Sequence, residues 1–357
     1  IMSSDWSSDV CSSDLHPDKV LTYNGTLNQV VLLFNSDLLK RKIYTLEINS
    51  SLMNCTGEQR TYNGEKEFGI PEMAEAGDIV INEVLFNPRA DGVDFVEIYN
   101  PSTAIIDLSQ LRIGSVKWYD FDPPDTNMMK VSTGRHSLLP SQFMVLTVNP
   151  GKVREQYFSA GEAAFLSMSS MPSYNNDEGV VVFENTEGMK VDLFHYEEDM
   201  HYPLLHSREG VSLERVHYSR PSSDITNWHS ASEDAGFATP GKVNSQFSDY
   251  TVAENPVKVE PEVFSPDHDG YQDLLNISYH FGVPGYTANI LIFDVSGRLV
   301  RQLVNNTTLG AEGVFSWDGI ADSGLKSPGG IYIVCFEAFD MNGNVKKYKK
   351  AAAMAIR

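Results

Sequence analysis

Two neighbouring stretches decide the fold: GDIVINEVLFNP at residues 77–88 and DFVEIYNPS at residues 94–102. Each is a short run of branched and aromatic side chains closed by a proline, which suits a strand end where no ladder donor is needed. Within residues 95–99, Phe, Glu and Tyr alternate with Val and Ile. This period of two predicts a β-strand, and we expect it to be covered by protein on one face only.

The same punctuation continues along all 357 residues. Pro, Gly, Asn, Asp and Ser recur about every ten residues, as between short strands, and the hydrophobic fraction of 41% is that of an ordinary globular protein. The length suits about two to three domains, each with its own core. The sequence therefore predicts an all-β protein with several modules.

The net charge of the chain limits which partners it is expected to bind. With 48 acidic and 27 basic residues, the net charge is −21. Such a charge disfavours nucleic acid or anionic lipid as the main partner and favours solubility outside the cell and cation binding. No run approaches the roughly 18 apolar residues of a membrane helix, so we expect no membrane-spanning segment.

The sequence of residues 1–15 is not typical of a folded element. The stretch DWSSDVCSSDL resembles the in-frame translation of a sequencing adapter, and we expect residues 1–15 to be non-native and dispensable. Apart from Cys11, the chain has Cys55 and Cys335, without the spacing of a zinc site or redox motif, so neither a disulfide nor zinc is predicted. Cys335 lies in an apolar strand pattern and is expected to be a small buried hydrophobe.

Residues 16–70 read as strands without a helix, with apolar or alternating patterns at 29–34 and 42–48. The segment is short for a sandwich. It resembles the C-terminal part of a bacterial immunoglobulin-like repeat of surface-layer proteins, which implies a partial domain.

Further blocks follow the opening stretches in a fixed order. They are DLSQLRI at 107–113, LLPSQFMVL at 138–146, GVSLERV at 210–216, NWHSA at 227–231 and ATPGKVNS at 238–245. With these blocks, residues 77–246 resemble a bacterial lamin-tail domain, and the resemblance implies an immunoglobulin-like sandwich. Residues 71–77 are predicted to be a linker, and residues 115–136, which lack periodicity, a surface insertion.

A second polar linker at 247–261 precedes a final module at 262–357. Its blocks are FSPDHDGYQDLLNISYHF at 264–281, ANILIFDVSGRLVRQL at 288–303, GVFSWDGIADSGL at 313–325 and SPGGIYIVCFEAFDMNGN at 327–344. These resemble the immunoglobulin-like domain of the flagellar hook-cap protein, common at the C-termini of secreted Bacteroidetes-type proteins. The whole chain is thus expected to be a series of tandem immunoglobulin-like β-sandwiches.

The final module ends in a lysine-rich strand pattern. Its lysines are Lys346, Lys347, Lys349 and Lys350. The resemblance to Bacteroidetes sorting domains implies export or anchoring by type IX secretion, with the lysines as a patch read by the secretion machinery. The alternative is that they protect an edge strand from pairing with a neighbour.

An acidic loop in the final module is the candidate metal site. Asp267, Asp269 and Asp273, with Gly270 between them, form a D-x-D-G-x-x-D pattern in which three carboxylates can converge on a hard cation. Calcium is the cofactor that suits this oxygen set. A solvated acidic turn that opens the next strand is the alternative.

Two loops are candidates for binding a glycan or protein. One is the insertion at 115–136, whose aromatic side chains are candidates for contact with a ligand, and the other is PSYNNDEG at 172–179. In the second, a tyrosine ring is expected to stack on a sugar while amide and carboxyl groups bond to it; a plain turn is the alternative. The candidate residues are Trp118, Tyr119, Tyr174, Asn175, Asn176 and Asp177.

Catalytic chemistry finds little support in the sequence. The residues His195, Glu197, Glu198, Asp199, His201 and His206 form a local cluster of metal-ligand types. His195 and His201 are six residues apart, and we expect a structural or solvent-exposed role. No serine elbow or phosphate-binding glycine loop occurs.

The sequence therefore favours a non-catalytic scaffold or adhesion protein, extracellular or on the outer-membrane surface. Its expected partners are a cell-surface glycan or protein and the secretion machinery. The alternative is the accessory C-terminal region of a secreted hydrolase, a nuclease, phosphatase or protease whose catalytic domain lies upstream. Nucleic-acid binding is disfavoured by the charge and by the lack of a basic stripe.

Overall fold

The computed structural model describes residues 17–22, 30–53, 59–117, 125–203, 205–249 and 255–355. The chain divides into two compact units, residues 1–70 and 71–357. Strands dominate both, which confirms the all-β prediction and its immunoglobulin-like sandwiches.

The described part of the first unit consists of two antiparallel hairpins. Their strands are β1 (Lys19–Thr22), β2 (Val30–Leu33), β3 (Tyr44–Met53) and β4 (Gln59–Phe68). Tyr44 and Phe68 pair across β3 and β4 with their ring centroids 5.7 Å apart. Strands at both predicted places are confirmed, and the second extends further than its alternating pattern.

The second unit begins with a two-sheet sandwich, which we call the first sandwich. Its strands are β5 (Val80–Leu85), β6 (Phe95–Tyr99), β7 (Ile106–Asp107), β8 (Leu111–Lys117), β9 (Asp125–Lys130), β10 (Ser137–Leu138), β11 (Phe143–Thr147), β12 (Phe165–Ser167), β13 (Glu178–Asn185), β14 (Lys190–Glu197), β15 (Leu213–Arg215) and β16 (Trp228–Ser230). A short helix α1 (Pro150–Gln156) and four 3₁₀ turns (Leu108–Gln110, Glu162–Ala164, Glu198–Met200, Ile225–Asn227) connect them.

The two main sheets of the first sandwich have six and four strands. The larger has the order β12-β11-β6-β5-β15-β16, and the smaller β14-β13-β8-β9. Aliphatic and aromatic side chains of both sheets fill the space between them, including Ile81, Ile98, Phe183, Phe194 and Trp228. The rings of Phe194 and Trp228 stack with centroids 3.6 Å apart, so this core is closed by side chains that the alternating patterns point inward.

The second unit ends with a second sandwich. Its strands are β17 (Val257–Glu260), β18 (Val263–Phe264), β19 (Leu275–His280), β20 (Thr287–Asp294), β21 (Leu299–Thr308), β22 (Glu312–Trp317), β23 (Gly330–Phe339) and β24 (Val345–Met354). They form sheets of order β17-β19-β22 and β18-β24-β23-β20-β21. Trp317 is 1% exposed in the core, and Gly297 and Gly343 adopt the positive φ that the hairpin turns need. Cys335 is buried, as expected.

The two sandwiches of this unit are joined by direct hydrogen bonds, which we call the module joint. Gln246, which is 3% exposed, donates from its amide nitrogen to the carbonyl oxygens of Ser230 in the first sandwich and Leu309 in the second, at 3.0 and 3.2 Å. The Ala311 N–H donates to the Ser245 carbonyl at 2.7 Å. Both contacts are backbone-anchored, so they fix the position of one sandwich against the other.

Side chains add to the module joint. The buried Thr287 hydroxyl donates to the Tyr202 hydroxyl oxygen at 2.9 Å, and the Tyr279 hydroxyl donates to the Asp234 carboxylate. Burial and the neighbouring Asp234 charge raise the pKa of Tyr279 above its ordinary value, so this phenol stays a donor throughout the physiological range.

Three predictions of local structure are wrong. The strand at residues 95–99 is covered on both faces, because helix α1 and residues 238–246 lie over the side that was expected to be open. The insertion at 115–136 contains β9, which pairs with β8. Both linkers also contribute to the sandwiches: Ala74 is 1% exposed, and the linker at 247–261 contains β17.

Candidate functional site

A row of three buried glutamates crosses the larger sheet of the first sandwich. Glu83 on β5 lies directly opposite Glu97 on β6 and Glu214 on β15, and all three side chains are 0% exposed. We call them the carboxylate row. Three adjacent carboxyl groups on one sheet face are costly to bury unless other groups bond to them.

The loop at residues 239–246 supplies those partners. The Thr239 N–H donates to Glu83 at 2.9 Å, the Gln246 N–H donates to Glu214 at 2.9 Å, and the Gly241 N–H donates to Glu97. The carboxylate row therefore holds a segment of chain that would otherwise leave its backbone donors unpaired. Because Gln246 also forms the module joint, the row positions the residue on which that joint depends.

Burial sets the protonation of the carboxylate row. It raises the pKa of Glu97 to about 8, with a further contribution from the Glu214 charge and opposing contributions from the Gly241 and Asn82 hydrogen bonds. Burial and the two neighbouring carboxylates raise the pKa of Glu83 well above its ordinary value, and burial also raises that of Glu214. Glu97 therefore holds its proton at neutral pH.

The positively charged side chain next to Glu214 in the chain, Arg215, pairs with groups outside the carboxylate row. Arg215, 1% exposed, forms an ion pair with Asp192 at 3.0 Å and donates to the Ile81 carbonyl oxygen at 2.6 Å. The sequence analysis did not single out these groups, although each glutamate stands inside an apolar strand block. A glutamate flanked on both sides by core residues is the available signal.

The predicted calcium residues are brought together by the structure. Asp267, Asp269 and Asp273 each offer a carboxylate oxygen within 4.8 Å of the others. The residues between them adopt positive φ at His268 and Gly270, which turns the loop tightly enough for this convergence.

The same carboxylates also organise the loop. Asp273 accepts from the N–H groups of His268 and Gly270, at 2.6 and 2.9 Å, and Asp269 accepts from the Tyr271 N–H at 2.8 Å. Desolvation acts to raise the pKa of Asp273, but these hydrogen bonds outweigh it and leave the pKa below its ordinary value. A convergent set of carboxylate oxygens suits calcium, whose occupancy stays a prediction.

The candidate ligand-binding residues divide into three groups. Trp118 and Tyr119 lie outside the described residues. The Tyr174 side chain is 6% exposed, and its hydroxyl points to the Gly114 carbonyl oxygen at 3.4 Å, so its ring has no face open for stacking on a sugar.

The third group is exposed at one end of the first sandwich. Asn175, Asn176 and Asp177 are all exposed, and the Asn176 amide donates to the side chain of Asn87 at 3.0 Å. These side chains remain available to a ligand, whose identity stays a prediction.

The predicted cluster of His and acidic residues separates in space. His201 is 1% exposed, with Nδ1 2.9 Å from the Ser230 hydroxyl, and burial followed by the Arg208 charge lowers its pKa to about 4. This histidine has a structural role. His195 and Glu197 instead lie on the outer face of β14 and meet Glu178 of β13, a residue that the sequence analysis did not include.

The lysines of β24 have different surroundings. Lys346 donates to the Tyr286 hydroxyl oxygen at 2.7 Å, and Lys347 forms an ion pair with Glu337 at 2.6 Å. Among the described strands, the outer neighbour β18 pairs with β24 only at Ala353 and Met354. The lysines thus lie on a strand whose outer edge is largely unpaired. This position fits both a patch read by the secretion machinery and protection of the edge from pairing.

Residues 72–198 match the lamin tail domain family. The match covers most of the first sandwich and includes β5 to β14, which agrees with the resemblance stated from the sequence blocks. Two glutamates of the carboxylate row lie within the matched lamin tail domain, whereas the third glutamate and the loop that covers the row follow it.

Three of the solved structures with similarity to this chain come from bacterial proteins. PorZ, a surface component of the type IX secretion system of Porphyromonas gingivalis, is 12% identical, with 92% of this chain and 48% of that chain covered and a TM-score of 0.24. Latent PorU from the same organism is 9% identical, with 85% and 36% covered and a TM-score of 0.23. A Ca²⁺-stabilised adhesin of an Antarctic bacterium is 11% identical, with 88% and 57% covered and a TM-score of 0.16.

This chain spans less than half the length of the two P. gingivalis chains. A search of curated proteins finds no significant match. Within the described residues, no helix has the length and apolar character needed to cross a membrane.

Proposed function

We propose that this chain is a non-catalytic scaffold of the bacterial cell surface, in which the lamin tail domain and the second sandwich act as one rigid spacer. The module joint carries this proposal. A joint with buried, backbone-anchored hydrogen bonds from both sides keeps a constant separation between the loops at the two ends. Rigid spacing with exposed loops is the usual construction of display and adhesion proteins.

The carboxylate row supports the same role. It fastens the loop that carries Gln246, so the joint is stabilised from inside the first sandwich rather than by surface contacts alone. Each of the three buried glutamates accepts a hydrogen bond from a backbone N–H of the chain itself, which gives them a structural role. The ligand of the display loops is proposed to be a glycan or a protein.

The second sandwich is proposed to direct export by a type IX pathway. This rests on the sequence blocks of residues 264–344 and on the lysines of β24. The test is expression of the full chain with a fluorescent reporter in a host that has this pathway, compared with a Lys347→Glu, Lys349→Glu double variant. The wild type is expected at the cell surface.

The variant separates the two roles of the lysines. Retention of the variant in the periplasm supports a receptor-read patch, whereas normal export with increased aggregation supports edge protection. If the wild type stays in the periplasm while a known sorting domain carries the same reporter to the surface, the export proposal is wrong.

The non-catalytic part of the proposal is tested with the purified chain. Nucleic acid, phosphoester, peptide and glycan substrates are expected to remain intact. Turnover that disappears in a His195→Ala or Glu197→Gln variant would overturn the proposal. A hydrolase domain upstream in the complete gene would leave this chain as an accessory spacer of that enzyme.

A further inference from the structure

The outer face of the β13–β14 hairpin brings together three metal-binding side chains. Glu178 lies directly opposite Glu197, and His195 stands two residues earlier on the same strand face as Glu197. The His195 Nε2 atom is 2.8 Å from a Glu178 carboxylate oxygen, and the ligand atoms of all three residues lie within 4.8 Å of one another. Two rigid, paired strands hold this arrangement.

We propose that Glu178, His195 and Glu197 form a binding site for a divalent transition metal of the zinc class. One imidazole and two carboxylates are the nitrogen and oxygen donors that such metals take, whereas calcium prefers an all-oxygen set. Zinc bonds of about 2.0–2.2 Å place tetrahedral ligand atoms about 3.4 Å apart. Small side-chain rotations reach that spacing from the present one.

The strand register gives independent support. Two carboxylates directly opposite each other on an antiparallel pair repel and destabilise the sheet. A bound cation between Glu178 and Glu197 reverses that repulsion. The side chains of His195 and Glu178 are 38% and 57% exposed, so metal enters from solvent without any opening of the core.

The site leaves a coordination position open. Three protein ligands complete only part of a tetrahedral shell, and the remaining position faces solvent. A water molecule, or an oxygen or imidazole donor of a partner, fills it. The site therefore suits attachment of a partner through the bound metal. It lies at the same end of the first sandwich as the exposed residues 175–177.

The second sandwich contains a matched control. His280 on β19 lies opposite Glu312 on β22 with Nδ1 and the carboxylate oxygen 3.0 Å apart, and the side chains are 37% and 75% exposed. Among the described residues, this pair belongs to no group of three ligands. It reproduces the histidine and the glutamate of the proposed site without its third member.

The test is calorimetric titration of the tag-free full chain with Zn²⁺, with Co²⁺ absorption as a spectroscopic readout. We expect the wild type to bind one zinc with micromolar affinity. His195→Gln and Glu197→Gln should each weaken it at least tenfold, and His280→Gln should leave it unchanged. The Glu197→Gln variant is the sharper one, because it preserves the His195–Glu178 pair and removes only the third ligand.

Folding is checked by thermal unfolding without metal, in which no variant should melt at a clearly lower temperature than the wild type; Glu197→Gln relieves the Glu178–Glu197 repulsion and should melt at least as high. The proposal is overturned if zinc does not bind below about 1 mM, the affinity of the weakest extracellular calcium modules. It is also overturned if Glu197→Gln binds like the wild type, or if His280→Gln loses as much affinity as His195→Gln.

Discussion

Raising the pH from 6.5 to 8 should destabilise the first sandwich through the carboxylate row. Glu97 has its pKa raised to about 8 by burial, whereas an unfolded glutamate ionises near 4.5. The folded state thus holds a proton that the unfolded state has released. The stability from this difference is complete below pH 4.5 and is lost as the pH rises to 8.

The magnitude follows from the linkage. Each pH unit within this window costs about 1.4 kcal/mol per group, so Glu97 alone removes about 2 kcal/mol between pH 6.5 and 8. Glu83 acts in the same direction, because its pKa is also raised. Asp94, whose pKa burial raises to about 7, adds to the loss in the lower part of the window.

The two buried histidines, His201 and His229, do not change the stability between pH 6.5 and 8. Burial, with the charge of a nearby arginine, lowers the pKa values of His201 and His229 to about 4. The stability that they contribute is therefore lost as the pH falls from 6.5 to 4 and is constant above 6.5.

The assay is urea unfolding at three pH values between 6.5 and 8, followed by tryptophan fluorescence, since Trp228 lies in the core of this sandwich. The wild type should lose about 2 kcal/mol or more over this range, and Glu97→Gln should show a shallower dependence. Glu155→Gln, at an exposed position of α1, is the control and should follow the wild type. A flat or rising stability, or an unchanged slope in Glu97→Gln, would refute the account of the carboxylate row.

Further predictions concern the joint, the calcium loop, a core turn and the N-terminus. Gln246→Ala should destabilise the chain by about 1–3 kcal/mol in urea unfolding, because two buried carbonyl groups lose their donor. Calcium should raise the calorimetric melting temperature of the wild type but not of an Asp267→Asn, Asp269→Asn double variant; equal shifts would reduce the loop to a turn. Gly319→Ala should lower the melting temperature by several degrees, since φ is +76° and the new β-carbon would lie 2.8 Å from a methionine sulfur. Deletion of residues 1–15 should leave the melting temperature unchanged, and a loss of several degrees would show that they pack on the body.

The sequence predicted the fold wherever a pattern is local. The strand at residues 95–99 and the hairpin turns at Gly297 and Gly343 follow from a few consecutive residues, and the structure contains both, although it covers the strand on both faces. The strand β9 was missed because DTNMMK has no alternation of its own. It becomes a strand by pairing with β8, which no local pattern records.

The sites show the same distinction. The calcium loop is contiguous, so its convergence was predictable from spacing. Glu178 lies 17 residues before His195, and only the register of β13 and β14 places them together. The carboxylate row joins the consecutive strands β5 and β6 to the distant strand β15, and Tyr174 is buried by packing that its polar neighbours do not indicate.

The central claim, that the two sandwiches of the second unit form one rigid spacer, is tested most directly by a distance measurement. Spin labels at Glu155 and Val295, both exposed and on different sandwiches, are introduced into the full chain with its cysteines replaced. Pulsed electron spin resonance should give a single narrow distance distribution, which broadens in a Gln246→Ala variant. A broad distribution in the wild type would contradict the account, because it would mean that the sandwiches move independently despite the hydrogen bonds of the module joint.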